Sequence, residues 1–395
     1  MLNTVVHGTC DPRFARVREA FAENFPKHNE LGASVAVLVD GRVVVDLWGG
    51  FADSERHRPW GRDTIVNAFS VGKGVLSICL LLLVDRGLID LDAAVARYWP
   101  EFAAAGKDRV TVRQLITHQA GLPAVRPDLP DYAMYDWNLM TSALATETPW
   151  WEPGTRHGYH VNTFGFLVGE VVRRASGLSP GAFLAKELAG PLGADYLIGV
   201  GAEHDHRVAE FVWSTELSTE AMQFDPFTLG PAMMSPEEWM RMRAYFNPRG
   251  VSGHGVVNDV AWRRAQCPST NGHGTALGVA RLYDMVASRG VVDGQRYVSD
   301  DLISEAAREQ VAGPDAIFEK PSRFGLGFQL ATAERPIGPS DGVVAHFGVG
   351  GAAGFADPVA GVAFGYVMNR MGPRFINPTN RALINALYEC LGAKG

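Results

Sequence analysis

The stretch NAFSVGKGVL, Asn67 to Leu76, places Lys73 inside an apolar, helix-like run, three residues after Ser70. Residues three apart on a helix share one face, with Cβ atoms about 5–6 Å apart, so the hydroxyl and the amine can meet. A serine hydroxyl is a weak nucleophile until a neighbouring base takes its proton. A lysine serves as that base only when its pKa falls well below about 10.4, and burial pushes it that way by disfavouring the ammonium. A helix N-terminus adds positive potential, which further disfavours the ammonium and favours an oxyanion. The chain holds six lysines against thirty arginines, and Lys73 is the lysine with a serine three positions before it. The spacing alone is also met by a lysine snorkelling from a helix end.

Around this stretch the texture changes twice. Val71 to Asp85 reads as a helix buried nearly all round, with Gly87 as its stop. Before it, Asp11-Pro12 looks like a helix cap, and Phe14, Val17, Phe21 and Phe25 recur at helical spacing. In ASVAVLVDGRVVVDLWGG two apolar runs flank Asp40-Gly41, a two-residue hairpin signal. A short strand is expected from Thr64 to Ala68. From about Asp90 to Gly290 helical segments alternate with loops rich in Pro, Gly and aromatics, and FGFLVGEVVRR before Gly177 is one amphipathic helix. Strand texture returns in GVVAHFGVGG and GVAFGYVMN, which flank a turn-rich FADPVAG, and a last helix runs from about Pro378 to Leu391. The expected class is α+β, with an α/β lobe formed by residues 1–89 and 290–395 and a mainly helical lobe, 90–289, inserted between them.

Composition narrows the function. Of 395 residues, 47% are hydrophobic and 20% charged, which is ordinary for a globular chain with a large core. The net charge of −7, with no basic block, argues against a nucleic-acid partner. MLNTVVHGTCDPRF lacks the charged and apolar regions of a secretory signal, and Cys10 carries no lipid-attachment context. The apolar run Val75 to Val84 is too short to span a bilayer. Cys10, Cys79, Cys267 and Cys390 show no metal or paired spacing and read as reduced thiols, so a cytoplasmic protein without metal or organic cofactor is expected.

Two further motifs follow in order. Tyr159 sits in the glycine-rich loop WEPGTRHGYHVNTFGF ahead of a helix, and a tyrosine beside a lysine can share its proton. AHFGVGG then places His346, Phe347 and Gly348 on an expected strand, where a glycine lets substrate approach the backbone. Taken singly, Tyr159 is also explained as a loop aromatic on Trp150 or Trp151, and His346 as a core histidine.

As a set, S-V-G-K, Tyr159 and H-F-G resemble the serine β-lactamase and penicillin-binding fold, and specifically the family VIII carboxylesterases. The resemblance extends through GLIDLDAAVARYWPEF, VRQLITHQAGL, the W-x-P-G-T run from Trp151 and GFADPVAGVAFGYVMNRM. It implies an antiparallel sheet flanked by helices, Ser70 as acyl-accepting nucleophile, and Lys73 with Tyr159 as the proton-transfer pair. It also implies an oxyanion hole from the backbone N–H groups of Ser70 and Val349, with His346 and Gly348 lining the acyl site. The chain departs from the β-lactamase pattern twice. Tyr159 is followed by His160 and Val161, with Asn162 one position late, so either His160 or Asn162 could take the asparagine's place. The third-motif lysine is absent, which favours small, apolar esters over anionic substrates. The expectation is a serine esterase. β-Lactamase or D-Ala peptidase action, acyl transfer to another acceptor, and a receptor that stays acylated are the alternatives; the oligomeric state is not legible.

Three other features compete for attention. Gly177-Leu178-Ser179-Pro180-Gly181 matches G-x-S-x-G, but a helix precedes it where that motif needs a strand, so Ser179 reads as a helix cap. Glu203-His204-Asp205-His206 fits no familiar metal spacing, and Asp90 and Asp92 read as a turn. Tyr132, Met134, Tyr135 and Trp137, then Met222, Phe224, Phe227, Met233, Met234, Trp239, Met240 and Met242, are expected to divide between core and an apolar rim over the site.

Overall fold

The computed structural model describes residues 4–214 and 233–392. Met222, Phe224 and Phe227 of the expected rim lie outside the described residues. The strands, in chain order, are β1 (Val6–Cys10), β2 (Gly32–Val39), β3 (Arg42–Gly50), β4 (Val66–Asn67), β5 (Tyr196–Leu197), β6 (His273–Gly274), β7 (Val291–Val292), β8 (Gln295–Arg296), β9 (Val311–Pro314), β10 (Pro321–Phe324), β11 (Gln329–Leu330), β12 (Val344–Phe347), β13 (Ala353–Asp357) and β14 (Val362–Met368). Nine form one antiparallel sheet in the order β1-β3-β2-β14-β13-β12-β11-β10-β9. The two ends of the chain meet at its centre, where Val35 of β2 pairs with Tyr366 of β14. The β2–β3 hairpin turns at Asp40 and Gly41, whose φ angles of 49° and 73° are the left-handed values a two-residue turn requires.

Five longer helices matter to the site: α1 (Ala15–His28), α2 (Val71–Asp85), α3 (Thr163–Ser176), α4 (Ala276–Ala287) and α5 (Pro378–Cys390). Side chains alternate across β13 and β14. Gly354 and Gly365 face α4, where a Cβ on Gly365 would sit 2.1 Å from the Ala276 carbonyl oxygen. Phe355 and Phe364 face the other way, stacked at 4.7 Å, with Tyr388 of α5 beyond. The sheet is thus covered on both faces. Helix α2 packs against α3, α4 and β12, and every residue from Val71 to Leu83 is buried. That explains its missing polar stripe.

Two sequence expectations need correction. FADPVAG is not wholly turn: Phe355 to Asp357 belong to β13, and only Pro358 to Gly361 connect it to β14. Two hairpins therefore stand where one was expected. The strand expected over Thr64 to Ala68 shrinks to Val66–Asn67, paired with β6.

Candidate active site

Ser70 stands at the N-terminal end of α2. Its backbone is already helical (φ −66°, ψ −6°), so its hydroxyl makes no capping bond to the first turn. The usual role of a serine at this position is therefore given up, and Oγ is free for another partner. The residue before it, Phe69, adopts φ +49°, a left-handed conformation costly for a bulky side chain. Its ring is locked by Phe211 at 4.9 Å and Trp213 at 6.0 Å, which holds the turn that aims Ser70.

Lys73 Nζ lies 3.1 Å from Ser70 Oγ and 3.2 Å from the Ser269 carbonyl oxygen. Its other neighbour is the face of Tyr159, 4.7 Å from the ring centroid. The lysine is fully buried, and among the described residues no carboxylate pairs with it. Burial holds its pKa well below that of a free lysine. A second buried lysine, Lys107, shows the contrast: its amine donates to the carbonyls of Ala104, Ala145 and Glu147, one for each ammonium proton. Lys73 has two oxygen partners, one of them Ser70, a set that suits a neutral amine whose lone pair faces a hydroxyl.

Tyr159 is also fully buried, and its hydroxyl makes no hydrogen bond of normal geometry. Burial drives its pKa far up, opposed by the nearby Ser70 hydroxyl, so it stays protonated at neutral pH. Its ring stacks on Phe318 at 4.6 Å, with Phe324, His118 and His346 around it. Its backbone N–H donates to Asp315, at 3.0 and 3.2 Å from the two carboxyl oxygens. Asp315 also accepts from the N–H groups of Ile317 and Phe318 and from Ser322, whose hydroxyl meets His157. This network ties the Tyr159 loop to the segment carrying Phe318. The turn bonds to Ile317 and Phe318 are local, but no pattern in GPDAIFEK announces the link to Tyr159, which lies 156 residues away in sequence.

His160 and Asn162, the two candidates after Tyr159, differ in their commitments. His160 Nδ1 donates to the Gly158 carbonyl and Nε2 accepts from the Leu122 N–H, so both ring nitrogens are spent on backbone. Asn162 donates through Nδ2 to the Ala244 carbonyl and Ser252, leaving its buried Oδ1 without a partner.

Strand β12 completes the constellation. His346 packs against α2 at Gly74, and Nε2 donates to the Gly327 carbonyl while Nδ1 is unpartnered. Burial lowers its pKa to about 3, so it is neutral at physiological pH. At Gly348 the strand passes so close to the chain before Ser70 that a Cβ would lie 2.4 Å from the Ala68 carbonyl oxygen. Val349, the next residue, opens a short helical turn, Val349–Gly351.

The competing features fall elsewhere. Ser179 caps a short helix, Pro180–Leu184, accepting from the Ala182 N–H, and α3 ends just before it at a left-handed Gly177. Asp205 is paired with Arg264 and Arg263. Asp90 accepts from the Asp92 N–H in a turn, and Asp92 pairs with Arg113. Of the aromatic and methionine stretches, Met134 is core, Trp137 donates to Glu170, Met240 packs in the apolar cluster around Tyr159, and Tyr132 and Met233 are exposed.

Comparisons with known proteins place the chain in a family. The chain is 35% identical to the Esterase/beta-lactamase LipL of Mycobacterium tuberculosis, over 93% of this chain and 83% of LipL. Among solved structures, a family VIII carboxylesterase superposes with a TM-score of 0.89 at 41% identity, covering 98% of this chain and all of that one. A penicillin-binding protein homolog from Caulobacter crescentus superposes with a TM-score of 0.86 at 37% identity, over 98% of this chain and all of that one. Residues 17–388 match the Beta-lactamase family, and with a fold and sequence that agree over nearly its whole length, the chain belongs to it.

Proposed function

We propose that the protein is a serine carboxylesterase that cleaves small esters through an acyl-enzyme on Ser70. The observation that carries this reading is Lys73: a buried, acid-free amine 3.1 Å from the Ser70 hydroxyl. The neutral amine takes the Ser70 proton as Oγ attacks the ester carbonyl. The N–H groups of Ser70 and Val349 receive the developing oxyanion, a contribution of about 3–4 kcal/mol per donor in such sites. Tyr159, protonated and facing Ser70, hands a proton to the departing alkoxide and is reprotonated from Lys73. Water then enters by the same route and releases the acid. The neutral His346 supplies no cation beside the reacting carbonyl, and the aromatic wall of Phe318 and Phe324 favours an apolar acyl or alcohol group there. That combination supports ester cleavage over hydrolysis of β-lactams, whose carboxylate seeks a fixed charge. Four free cysteines support a reducing compartment such as the cytoplasm. No helix among the described residues is long and apolar enough to cross a membrane.

The test is covalent trapping. A fluorophosphonate should label the peptide containing Ser70, with mass spectrometry locating the adduct, and Ser70→Ala should abolish both label and turnover of 4-nitrophenyl butyrate. Label on any other peptide, or turnover surviving in Ser70→Ala, refutes the mechanism.

A further inference from the structure

A cleft of about 540 Å³ opens beside the site, between β10–β11, the loop after β11, and the segment leading into α5. Its wall includes Phe318, the ring that stacks on Tyr159, and Phe347, the neighbour of His346. Its charge is one-sided. Lys320, Arg335, Arg374 and Arg381 line it without any carboxylate partner among the described residues, and Arg323 is already paired with Glu309. Glu334 is the one acidic residue on the wall. Arg381 is half-buried, and among the described residues its guanidinium donates only to the Pro336 carbonyl; Arg335 is half-buried with its guanidinium 5.5 Å from the Phe318 ring centroid.

Elsewhere, among the described residues, arginines drawn into the surface are met in two ways: Arg113 has Asp92 and Glu305, Arg207 has Asp195 and Arg243 has Asp128, whereas Arg18 and Arg281 rest on the carbonyls of Val6 and Gly193; the cleft differs in gathering four cations without an acid around one space. Arg335 and Arg381, partly withdrawn from water without an acid, cost free energy that an anionic guest would recover, and the exposed Lys320 and Arg374 add their charge at the same space. Arginine forks match carboxylate and phosphate oxygens bidentately.

We infer that this cleft is an anion subsite, which selects esters bearing a carboxylate or phosphate on the part that extends past Phe318. The inference rests on the esterase reading for its consequence in turnover, but not for its binding. It gives the substrate two unlike ends: an ester held among aromatic rings, and a distal negative charge held by arginines.

The experiment compares two 4-nitrophenyl esters of similar length, the valerate and the monoester of glutaric acid. The unmodified protein should favour the glutarate by about tenfold in kcat/KM, the value of one good charge-assisted contact. In Arg374→Ala, and more so in Arg335→Ala with Arg374→Ala, that ratio should fall to one or below. Arg374→Lys should keep part of it. Raising salt should compress it, since the subsite opens to solvent. Glutarate and inorganic phosphate as competitors separate the two anion chemistries: the better competitor names the group. A ratio at or below one in the unmodified protein, or variants that slow both esters alike, overturns the subsite. Calorimetric titration of the Ser70→Ala protein with glutarate and with phosphate reads the subsite without turnover. If neither ester is cleaved, the esterase reading fails while titration still decides the subsite: binding lost in the double variant upholds it, and no binding of either anion refutes it.

Discussion

Replacing Asp315 separates what holds the Tyr159 loop from what performs chemistry. The side chain is buried and accepts from three backbone N–H groups, those of Tyr159, Ile317 and Phe318, and from the Ser322 hydroxyl. In Asp315→Asn, the remaining carbonyl oxygen can take the place of Oδ1, which serves all three N–H groups, and the new amide can donate to Ser322. The loss is then about 1 kcal/mol, the difference between charge-assisted and neutral acceptors. In Asp315→Ala, all three N–H groups and the hydroxyl lose their acceptor in a closed interior. At about 1–3 kcal/mol per buried orphan, with some recovered by entering water, the expected cost is about 3–5 kcal/mol. That is a large share of the stability of an ordinary domain, about 5–15 kcal/mol. Urea unfolding measures both variants. Turnover of a neutral ester should fall mainly in kcat, because the tyrosine that moves the proton loses its anchor, and should be largely retained in the asparagine variant. Equal destabilisation by Asn and Ala, or an alanine cost below about 1 kcal/mol, would refute the argument that backbone donors are what Asp315 serves.

Tyr159→Phe should lower kcat about 100-fold or more while leaving the melting temperature unchanged or higher, because the hydroxyl removed is buried without a hydrogen bond. Gly348→Ala forces a Cβ to 2.4 Å from the Ala68 carbonyl oxygen, so β12 must draw back from Ser70; kcat/KM should fall at least tenfold, which steady-state kinetics on a neutral ester will show. Ser179→Ala should leave turnover within about twofold and cost about 1 kcal/mol of stability as a lost cap, read by kinetics and denaturant melts on the same sample. For pH, the need for a free Lys73 amine makes kcat/KM rise through a pKa well below 10.5, and the raised pKa of Tyr159 keeps the plateau from falling on the alkaline side. Stability follows the histidines. Burial lowers His160 and His273 to about 4 and His346 to about 3, so unfolded histidines take protons near pH 6.5 that the folded ones refuse, and stability is lost as pH falls from 6.5 toward 4. Glu30 and Asp284, raised to about 7 and about 6, act in the opposite sense, losing stability as pH rises through that window; with two of them against three histidines and the similarly lowered His118, melts should still show net loss on acidification.

Much of this was legible because it is local. The Asp40-Gly41 hairpin, the fully apolar α2 and the Ser179 cap follow from a few adjacent residues, and S-x-x-K spacing places two groups on one turn without any tertiary knowledge. The Ser70–Lys73 contact is thus read directly from ten residues. What the sequence hid is built from distance in the chain. Asp315 reaches Tyr159 across more than a hundred residues, and the carbonyl of Ser269 closes the Lys73 pocket from nearly two hundred away. The end of β13, Phe355 to Asp357, reads as turn because Asp357-Pro358 and Gly361 carry turn chemistry, while the pairing that makes it a strand is with β12 and β14; beside it Gly354 makes room for Tyr283 of α4. The cleft cations were invisible for a related reason: an arginine looks alike whether or not an acid waits beside it.

The pairing of β2 with β14 carries a consequence for how the molecule is made. Helix α2 emerges early from the ribosome, and it is greasy on every side. The β12 strand and the α4 helix that shield it are encoded far downstream, and the central sheet cannot close until Met368 has been added. At about 5–20 residues per second, that delay is roughly 15–60 s. Helix α3, made much sooner, can cover one side of α2, but the side that meets β12 and α4 stays without its cover throughout that interval.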